Sequence, residues 1–214
     1  MLSEFLRPVS RGRLFWLATA LTLLTAGFTH PLGAQKTVPA APKLSDQPLG
    51  AEQLAVYRFI LTGPMKEGPD PLSLVAQTDP FPTEAAFDTR ECLKGLDLEA
   101  YDPVVVHRFR PEDLTQLGPV RLHLVEREAQ QKEVEKNDPS KSIQQGNSVE
   151  DAVRNGFAHG YAWVSEIRFD KSHTHAVVSY GFHCGELCGN GGTEILEKAD
   201  GAWKFKSSCS SWIS

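Results

Sequence analysis

The chain has 214 residues, of which 41% are hydrophobic, and a formal net charge of −5 at pH 7. Three Arg and one Glu lie in residues 1–34, so the rest of the chain carries a formal charge of −7. Nucleic acid and anionic lipid both favour basic surfaces, so this charge balance argues against either of them as a partner.

The N-terminus has the pattern of a secretory signal peptide. A short stretch with three Arg precedes an uncharged run, Leu14–Phe28, which is shorter than the roughly 18–20 residues of a membrane-spanning helix. Ala34 offers a small residue for cleavage. We predict a signal peptide over residues 1–34, export of a bacterial protein to the periplasm or beyond the cell, and no stable membrane span after cleavage. Leu32 is large for its place near the cut, so an uncleaved anchor is the alternative.

The rest of the chain divides into a short linker and one domain. Residues 35–50 are rich in Pro and Ala and poor in large apolar side chains, so burial cannot offset the entropy of ordering them. We predict a flexible linker there. Residues 51–214 fit the size of one domain with one core.

The first half of that domain shows one clear helix. Ala51–Leu61 places apolar residues at spacings of three and four, and Gly63 followed by Pro64 ends the pattern. Residues 81–110 are predicted to be mostly loop. Further elements are predicted over Leu72–Thr78 (strand), Pro111–Leu117 (brief helix), Val120–Glu126 (strand), 127–146 (solvated helix or mobile excursion) and Ser148–Phe157 (helix capped by the serine).

The C-terminal part alternates with the period of strands. Tyr161–Phe169 and His175–Cys184 predict a hairpin, with Glu166 and Arg168 on the polar face of its first strand. Two more strands follow, around an Asp200-Gly201 turn. The Gly-rich stretch 189–192 is predicted to be a turn. Together these elements predict an α+β fold, an N-terminal helix with a four-stranded antiparallel meander packed on it, cystatin-like or NTF2-like by analogy.

The C-terminal sequence resembles a group of uncharacterised exported bacterial proteins. The residues that carry this resemblance are FAHGYAWVSEIRFDKSHTHAVVSYGFHCGELCGNGGTEILEKADGAWKF (157–205) and the ending CSSWIS. They match the group's theme of C-G-x-L-C-G-x-G, then K-x-x-G-x-W-K, then W-[IV]-S. AVYRFIL, with Tyr57, looks like the group's first helix. The resemblance implies export and this fold, and it implies no activity.

The cysteines predict disulfide bonds. Four cysteines lie beyond the predicted cut, and an even number in an exported chain favours disulfides in an oxidising compartment. Cys184 with Cys188, and Cys92 with Cys209, are the preferred pairs. The main rival joins Cys188 to Cys209.

Metal and redox sites are considered and disfavoured. His175 and His183 stand eight residues apart on one predicted strand, about 26 Å, so they cannot share one zinc ion. The C-x-x-x-C motif follows a strand, whereas thiol–disulfide exchangers place C-x-x-C at a helix N-terminus. We therefore predict no catalytic, cofactor-binding or metal-binding residue and no cofactor.

The leading hypothesis is a non-catalytic binding module with an unknown ligand or protein partner. Aromatic residues in the predicted strands could line a groove, although their period of two favours plain core. Those residues are Trp163, Tyr180, Phe182 and Trp203. The alternative is a hydrolase or metal-dependent enzyme whose site lies in the mid-chain loops, with His107 or His123.

Overall fold

The structure, a computed structural model, describes residues 41–65, 71–82 and 89–214. The predicted signal peptide therefore lies outside the described residues. The helices are α1 (Ala51–Thr62), α2 (Thr89–Cys92), α3 (Arg127–Lys136), α4 (Pro139–Gln144) and α5 (Val149–His159), with a 3₁₀ turn at Asp113–Gln116. The strands are β1 (Lys43–Leu44), β2 (Leu72–Val75), β3 (Val105–Val106), β4 (Leu122–Val125), β5 (Tyr161–Val164), β6 (Arg168–Phe169), β7 (His175–Gly185), β8 (Cys188–Ala199) and β9 (Ala202–Ile213).

The main sheet is mixed, with strand order β4-β2-β5-β7-β8-β9 and β6 beside β7. Strand β2 runs parallel to both β4 and β5. From β5 onward each strand pairs antiparallel with the next, which is the expected meander. The predicted α+β class is therefore confirmed, and two parallel strands extend the meander at one edge.

Helix α1 packs its apolar stripe on one face of this sheet. Leu54, Tyr57 and Ile60 are buried against sheet residues such as Leu74 and Leu196, all at most 2% exposed. Burial of such side chains contributes on the order of 2 kcal/mol each. The spacing of three and four that predicts the helix is thus also the spacing that forms the main core.

The opposite face of the sheet carries two smaller apolar clusters. Val134 of α3 packs with Val75 and Tyr161 in one of them. In the other, Phe81 packs with Val177 and Ile195 beneath residues 92–101. The helix prediction for 127–146 is correct, but α3 also covers part of the sheet through Val134.

Polar caps fix the helices at the end of the meander. The Ser148 hydroxyl accepts the Asp151 backbone N–H at 3.1 Å, as the sequence predicts for α5. Asp138 accepts the Ser140 N–H at 2.7 Å and the Glu186 N–H at 2.6 Å. One carboxylate therefore caps α4 and also binds the β7–β8 turn.

The predicted strand over 161–169 is interrupted at Ser165. The Ser165 hydroxyl accepts the Ser179 N–H at 2.9 Å and donates to the Glu166 carbonyl at 2.7 Å. The Glu166 N–H then turns to the Asp79 carbonyl, at 2.7 Å. Because the backbone leaves the β7 ladder at this point, Glu166 is buried, which corrects its predicted place on a polar face.

The Gly-rich stretch 189–192 lies within β8, so its prediction as a turn is wrong. The actual turn is Glu186–Leu187, between β7 and β8. These glycines are needed for space: a Cβ at Gly191 would lie 2.8 Å from ring carbons of Trp212, and one at Gly189 would lie 2.7 Å from the Phe182 carbonyl. Asp200 and Gly201 both have positive φ, as the predicted two-residue turn requires.

The described part of the predicted linker, residues 41–50, is packed on the domain. Strand β1 pairs in parallel with β3, and Leu49 is only 6% exposed. Backbone N–H groups of this segment donate in the pairing, since Lys43 N donates to Val104 O and Ser45 N donates to Val106 O, at 2.7 Å in the latter case. A flexible tether over 35–50 therefore does not describe residues 41–50.

Two disulfides close the fold, and the prediction of disulfide bonds is confirmed. Cys92 is bonded to Cys209, with a Cα–Cα distance of 5.4 Å, and Cys184 to Cys188, with 5.0 Å. These are the preferred pairs of the sequence analysis. The first joins α2 to β9, and the second closes the β7–β8 turn.

Candidate functional site

An open cleft of about 440 Å³ lies between the start of α1, residues 99–107 and residues 166–173. We call it the His107 cleft. Two other described clefts, of about 650 and 410 Å³, contain no buried pair of titratable side chains. The lining residues of the His107 cleft are Gly50, Glu52, Gln53, Glu99, Ala100, Tyr101, Asp102, Val105, His107, Glu166, Ile167, Phe169 and His173.

A histidine–carboxylate pair forms the floor of the cleft. His107 Nδ1 lies 2.9 Å from Glu166 Oε2, and the two side chains are 16% and 6% exposed. The His107 backbone N–H donates to Glu166 Oε1 at 2.7 Å, and the Thr78 hydroxyl donates to the same oxygen. A buried carboxylate requires such donors, because an unpaired charge away from water is costly.

The residues that follow β2 hold both members of this pair. Thr78 N donates to the His107 carbonyl at 3.0 Å, and Asp79 N donates to the Val164 carbonyl at 2.9 Å. Because Asp79 also accepts the Glu166 N–H, the segment lies between the two partners. Residues 59 positions apart in sequence are thus brought together by one extended strand.

This geometry assigns the proton on the His107 ring. An ionised carboxylate can only accept hydrogen bonds, so Nδ1 donates to Glu166, and in the neutral form of the ring the lone pair then lies on Nε2. Among the described residues, none lies within hydrogen-bond distance of Nε2. The cleft therefore presents an acceptor at its floor.

His173 joins the two acidic walls of the cleft. Its Nδ1 lies 2.7 Å from Glu52 and its Nε2 lies 3.0 Å from Glu99, while its ring stacks on Phe169 with centroids 4.9 Å apart. These two carboxylates raise the pKa of His173. Burial acts to raise the pKa of Glu52, but its hydrogen bonds with Lys198 and His173 outweigh that effect and lower it.

We expect His173→Asn to reduce stability mainly at acidic pH. Asn tolerates the positive φ of residue 173 but removes the imidazole. Because the folded-state pKa is raised, the ionic contribution is complete below the unfolded value near 6.5 and is lost as pH rises through the folded value. The side chain is 42% exposed, so we expect at most about 1 kcal/mol. Urea unfolding at pH 5.5 and pH 9 measures this loss of free energy of unfolding. The control is His123→Asn, at an exposed position. An equal loss at both pH values would contradict this role.

Two tyrosines complete the surroundings of the pair. Tyr57 is fully buried and donates to the Ser165 carbonyl at 3.0 Å; burial and the Glu166 charge raise the Tyr57 pKa. The Tyr101 hydroxyl accepts the Phe81 N–H at 2.6 Å, and burial raises the Tyr101 pKa. Both hydroxyls are therefore protonated and already engaged.

The structure brings some of the candidate residues to the cleft and places others elsewhere. His107 lies at its floor, whereas His123 is exposed on β4 and does not line it. The four cysteines are bonded and also lie outside its lining. Of the aromatic candidates, Phe182 and Trp203 are buried, and Trp163 and Tyr180 are half-buried.

Glu166 is the residue that sequence reasoning missed. It alternates with apolar neighbours in the same way as a solvent-facing strand residue, so period two assigns it to the wrong environment. Within the described part of the chain, no group of three or more His, Cys, Asp or Glu is arranged to hold a metal ion. None of the described helices is both long and apolar enough to cross a membrane.

The comparisons with known proteins give no relative. No protein-family model matches the chain, and no curated protein or solved structure matches it either.

Proposed function

We propose that the chain is an exported, disulfide-stabilised binding module whose His107 cleft takes a small ligand with an amino or guanidino group. The proposed partner is therefore named by its chemical class, a small amine or guanidine. This function is the non-catalytic binding module that the sequence favours, with a site and a ligand class now added.

The observation that carries the proposal is that hydrogen-bond acceptors converge on the cleft. His107 Nε2 is open at the floor, and the walls carry the carboxylates of Glu52, Glu99 and Asp102. The described basic partners of these carboxylates are Lys198, which pairs with Glu52, and His173, which pairs with Glu52 and Glu99, so they balance only part of this charge. A ligand that brings N–H donors and a positive charge complements such a lining, and charge-assisted hydrogen bonds are the strong ones.

Binding is favoured over covalent catalysis by the lining itself. The described residues that line the cleft include no Ser, Thr, Cys or Lys. The Tyr101 hydroxyl, which lines the cleft, accepts the Phe81 N–H, and the Thr78 and Ser165 hydroxyls are engaged with Glu166 and with backbone groups. A nucleophile must be free to attack, and these are not.

Export is supported by three features. Two disulfides fit a protein that folds in an oxidising compartment. The basic and apolar pattern of residues 1–34 is that of a signal peptide. The resemblance of residues 157–205 to exported bacterial proteins supports the same location.

Calorimetric titration tests the site. We expect arginine amide and cadaverine to bind with a Kd below about 1 mM, and succinate not to bind. His107→Gln is expected to weaken binding about tenfold, which corresponds to 1.4 kcal/mol. Glu99→Gln is expected to weaken it as well. Glu150→Gln makes the same charge change on α5, far from the cleft lining, and is expected to leave binding unchanged. Equal binding by all variants, or no binding of either amine, would refute the proposal.

A second candidate function follows from the same pair. A neutral imidazole whose Nδ1–H is held by a buried carboxylate and whose Nε2 is open has the arrangement of a general base. The reaction would be hydrolysis by a water that His107 activates, because the described lining offers no Ser, Thr, Cys or Lys nucleophile. Turnover of fluorogenic esters that His107→Gln abolishes would favour this function over binding alone.

A further inference from the structure

A row of four cross-strand partners lies on the sheet face opposite α1. Trp163 of β5 pairs with Gly181 of β7, which pairs with Gly191 of β8, which pairs with Trp212 of β9. Partners in an antiparallel ladder point to the same face, so both indoles stand on one surface. We call this row the tryptophan strip.

The two glycines leave room for the indole rings. A Cβ at Gly181 would lie 2.7 Å from the Trp163 indole nitrogen, and a Cβ at Gly191 would lie 2.8 Å from two ring carbons of Trp212. Each ring therefore lies over the glycine of a central strand rather than standing away from the sheet. Since neighbouring strands are about 4.8 Å apart, the rings form an aromatic floor about two strands wide.

Both rings remain in part accessible to solvent. Trp163 and Trp212 are half-buried, whereas Trp203 is in the core with 8% exposure. Among the described residues, none accepts a hydrogen bond from either indole N–H. Beside the strip, the rings of Tyr161 and His183 pack edge to face at 5.5 Å. The surface thus offers apolar faces next to polar ring atoms.

The sheet residues of the strip and of its neighbouring rows carry almost no charge; the described charges beside them are Arg127, 5.9 Å from the centroid of the Tyr161 ring, and Asp138, which acts on His183. On one side lie His183 and Gly189, and on the other lie the hydroxyl residues Ser179, Thr193 and Ser210. None of these is acidic or basic except His183, and burial lowers the His183 pKa against the opposing effect of the Asp138 carboxylate. A neutral ligand is therefore favoured.

We propose that the tryptophan strip binds a neutral saccharide. A pyranose ring has a face of C–H groups that packs on an indole and an edge of hydroxyls that bonds to indole N–H and imidazole groups. Nucleobases also stack on aromatic rings, but the acidic chain repels the phosphates that carry them.

This second site is independent of the His107 cleft. None of the four residues of the strip lines the cleft, and the strip lies on the sheet face opposite α1, whereas the start of α1 borders the cleft. Amine binding at the cleft and saccharide binding at the strip can therefore be tested separately, and the absence of one does not decide the other.

The test uses the purified protein with both disulfides formed and four neutral hexasaccharides: cellohexaose, chitohexaose, maltohexaose and xylohexaose. We expect at least one to shift the indole N–H resonances of Trp163 and Trp212 in a saturable manner, and to leave that of buried Trp203 unchanged. Trp212→Ala and Trp163→Ala should each weaken binding at least tenfold. Phe205→Ala removes an exposed aromatic side chain of β9 outside the strip and should bind as the wild type does.

Two results would overturn the proposal. One is that none of the four saccharides shifts these resonances at 10 mM, a concentration about tenfold above a weak Kd of 1 mM. The other is that folded Trp212→Ala binds as tightly as the wild type. The absence of shifts with all four saccharides is read from the wild-type spectrum alone. A variant that fails to fold therefore does not prevent this test.

Discussion

Replacing Cys92 and Cys209 together by Ala is expected to lower the free energy of unfolding by about 4–5 kcal/mol. The two residues are 117 positions apart, so the bond removes much of the entropy of the unfolded chain. It also holds α2 and the following residues over Phe81, Val177 and Ile195. For a domain of this size the loss corresponds to a fall in Tm of about 10–15 °C, which calorimetry measures.

The other disulfide provides the matched control. Cys184 and Cys188 are four positions apart, so the same entropic argument gives a loss of only about 2 kcal/mol when both become Ala. Both double variants remove two sulfurs from half-buried or buried positions. Equal losses for the two pairs, or a loss below about 1 kcal/mol for the long loop, would contradict this account of the fold.

Asp170→Ala is expected to destabilise the domain by about 2–4 kcal/mol at pH 7. The carboxylate, 10% exposed, accepts the backbone N–H groups of Thr174 at 2.8 Å and His175 at 2.7 Å, and the Ser172 hydroxyl at 2.6 Å. It therefore holds the β6–β7 turn, and through it His173 at the edge of the cleft. Chemical denaturation measures the loss.

The effect of Asp170 depends on pH in a defined direction. Burial acts to raise its pKa, but the hydrogen bonds from Ser172 and His175 outweigh it and hold the pKa well below 3.8. Its contribution is therefore complete above the unfolded value near 3.8 and is lost as pH falls through the folded value. The difference between wild type and Asp170→Ala should shrink from pH 7 to pH 2.

Asp97→Ala is the control for that variant, because the Asp97 side chain is 75% exposed and forms an ion pair with Lys171, at 2.8 Å. Exposed pairs of this kind contribute about 0–1 kcal/mol. If Asp170→Ala were no more destabilising than Asp97→Ala, the turn would not depend on the buried carboxylate.

The regular elements could be predicted because their burial is periodic. In α1, Leu54, Tyr57 and Ile60 follow the helical period, and the meander follows the period of two. The glycines of β8 could not be placed in this way. Their composition favours a turn, and the Trp212 ring, which leaves no room for a Cβ at Gly191, comes from the next strand, β9.

Only part of the His107 cleft could be predicted from the sequence. His107 is a plausible candidate from residue type alone, but its partner Glu166 comes from a strand whose alternation assigns it to solvent. The hydrogen bonds that bury Glu166 depend on Thr78 and on the interruption at Ser165, and no local pattern shows either of them. At Glu166, tertiary hydrogen bonds therefore bury a side chain that the strand period of two would place in solvent.

The most direct test of the account is the ¹⁵N spectrum of the His107 ring, recorded at pH 8 with and without arginine amide. The account predicts a proton on Nδ1 and a bare Nε2 in the free protein, and a saturable shift of Nε2 when the amine is added. A proton on Nε2 in the free protein, or a His107 ring that does not respond while the amine binds, would contradict it.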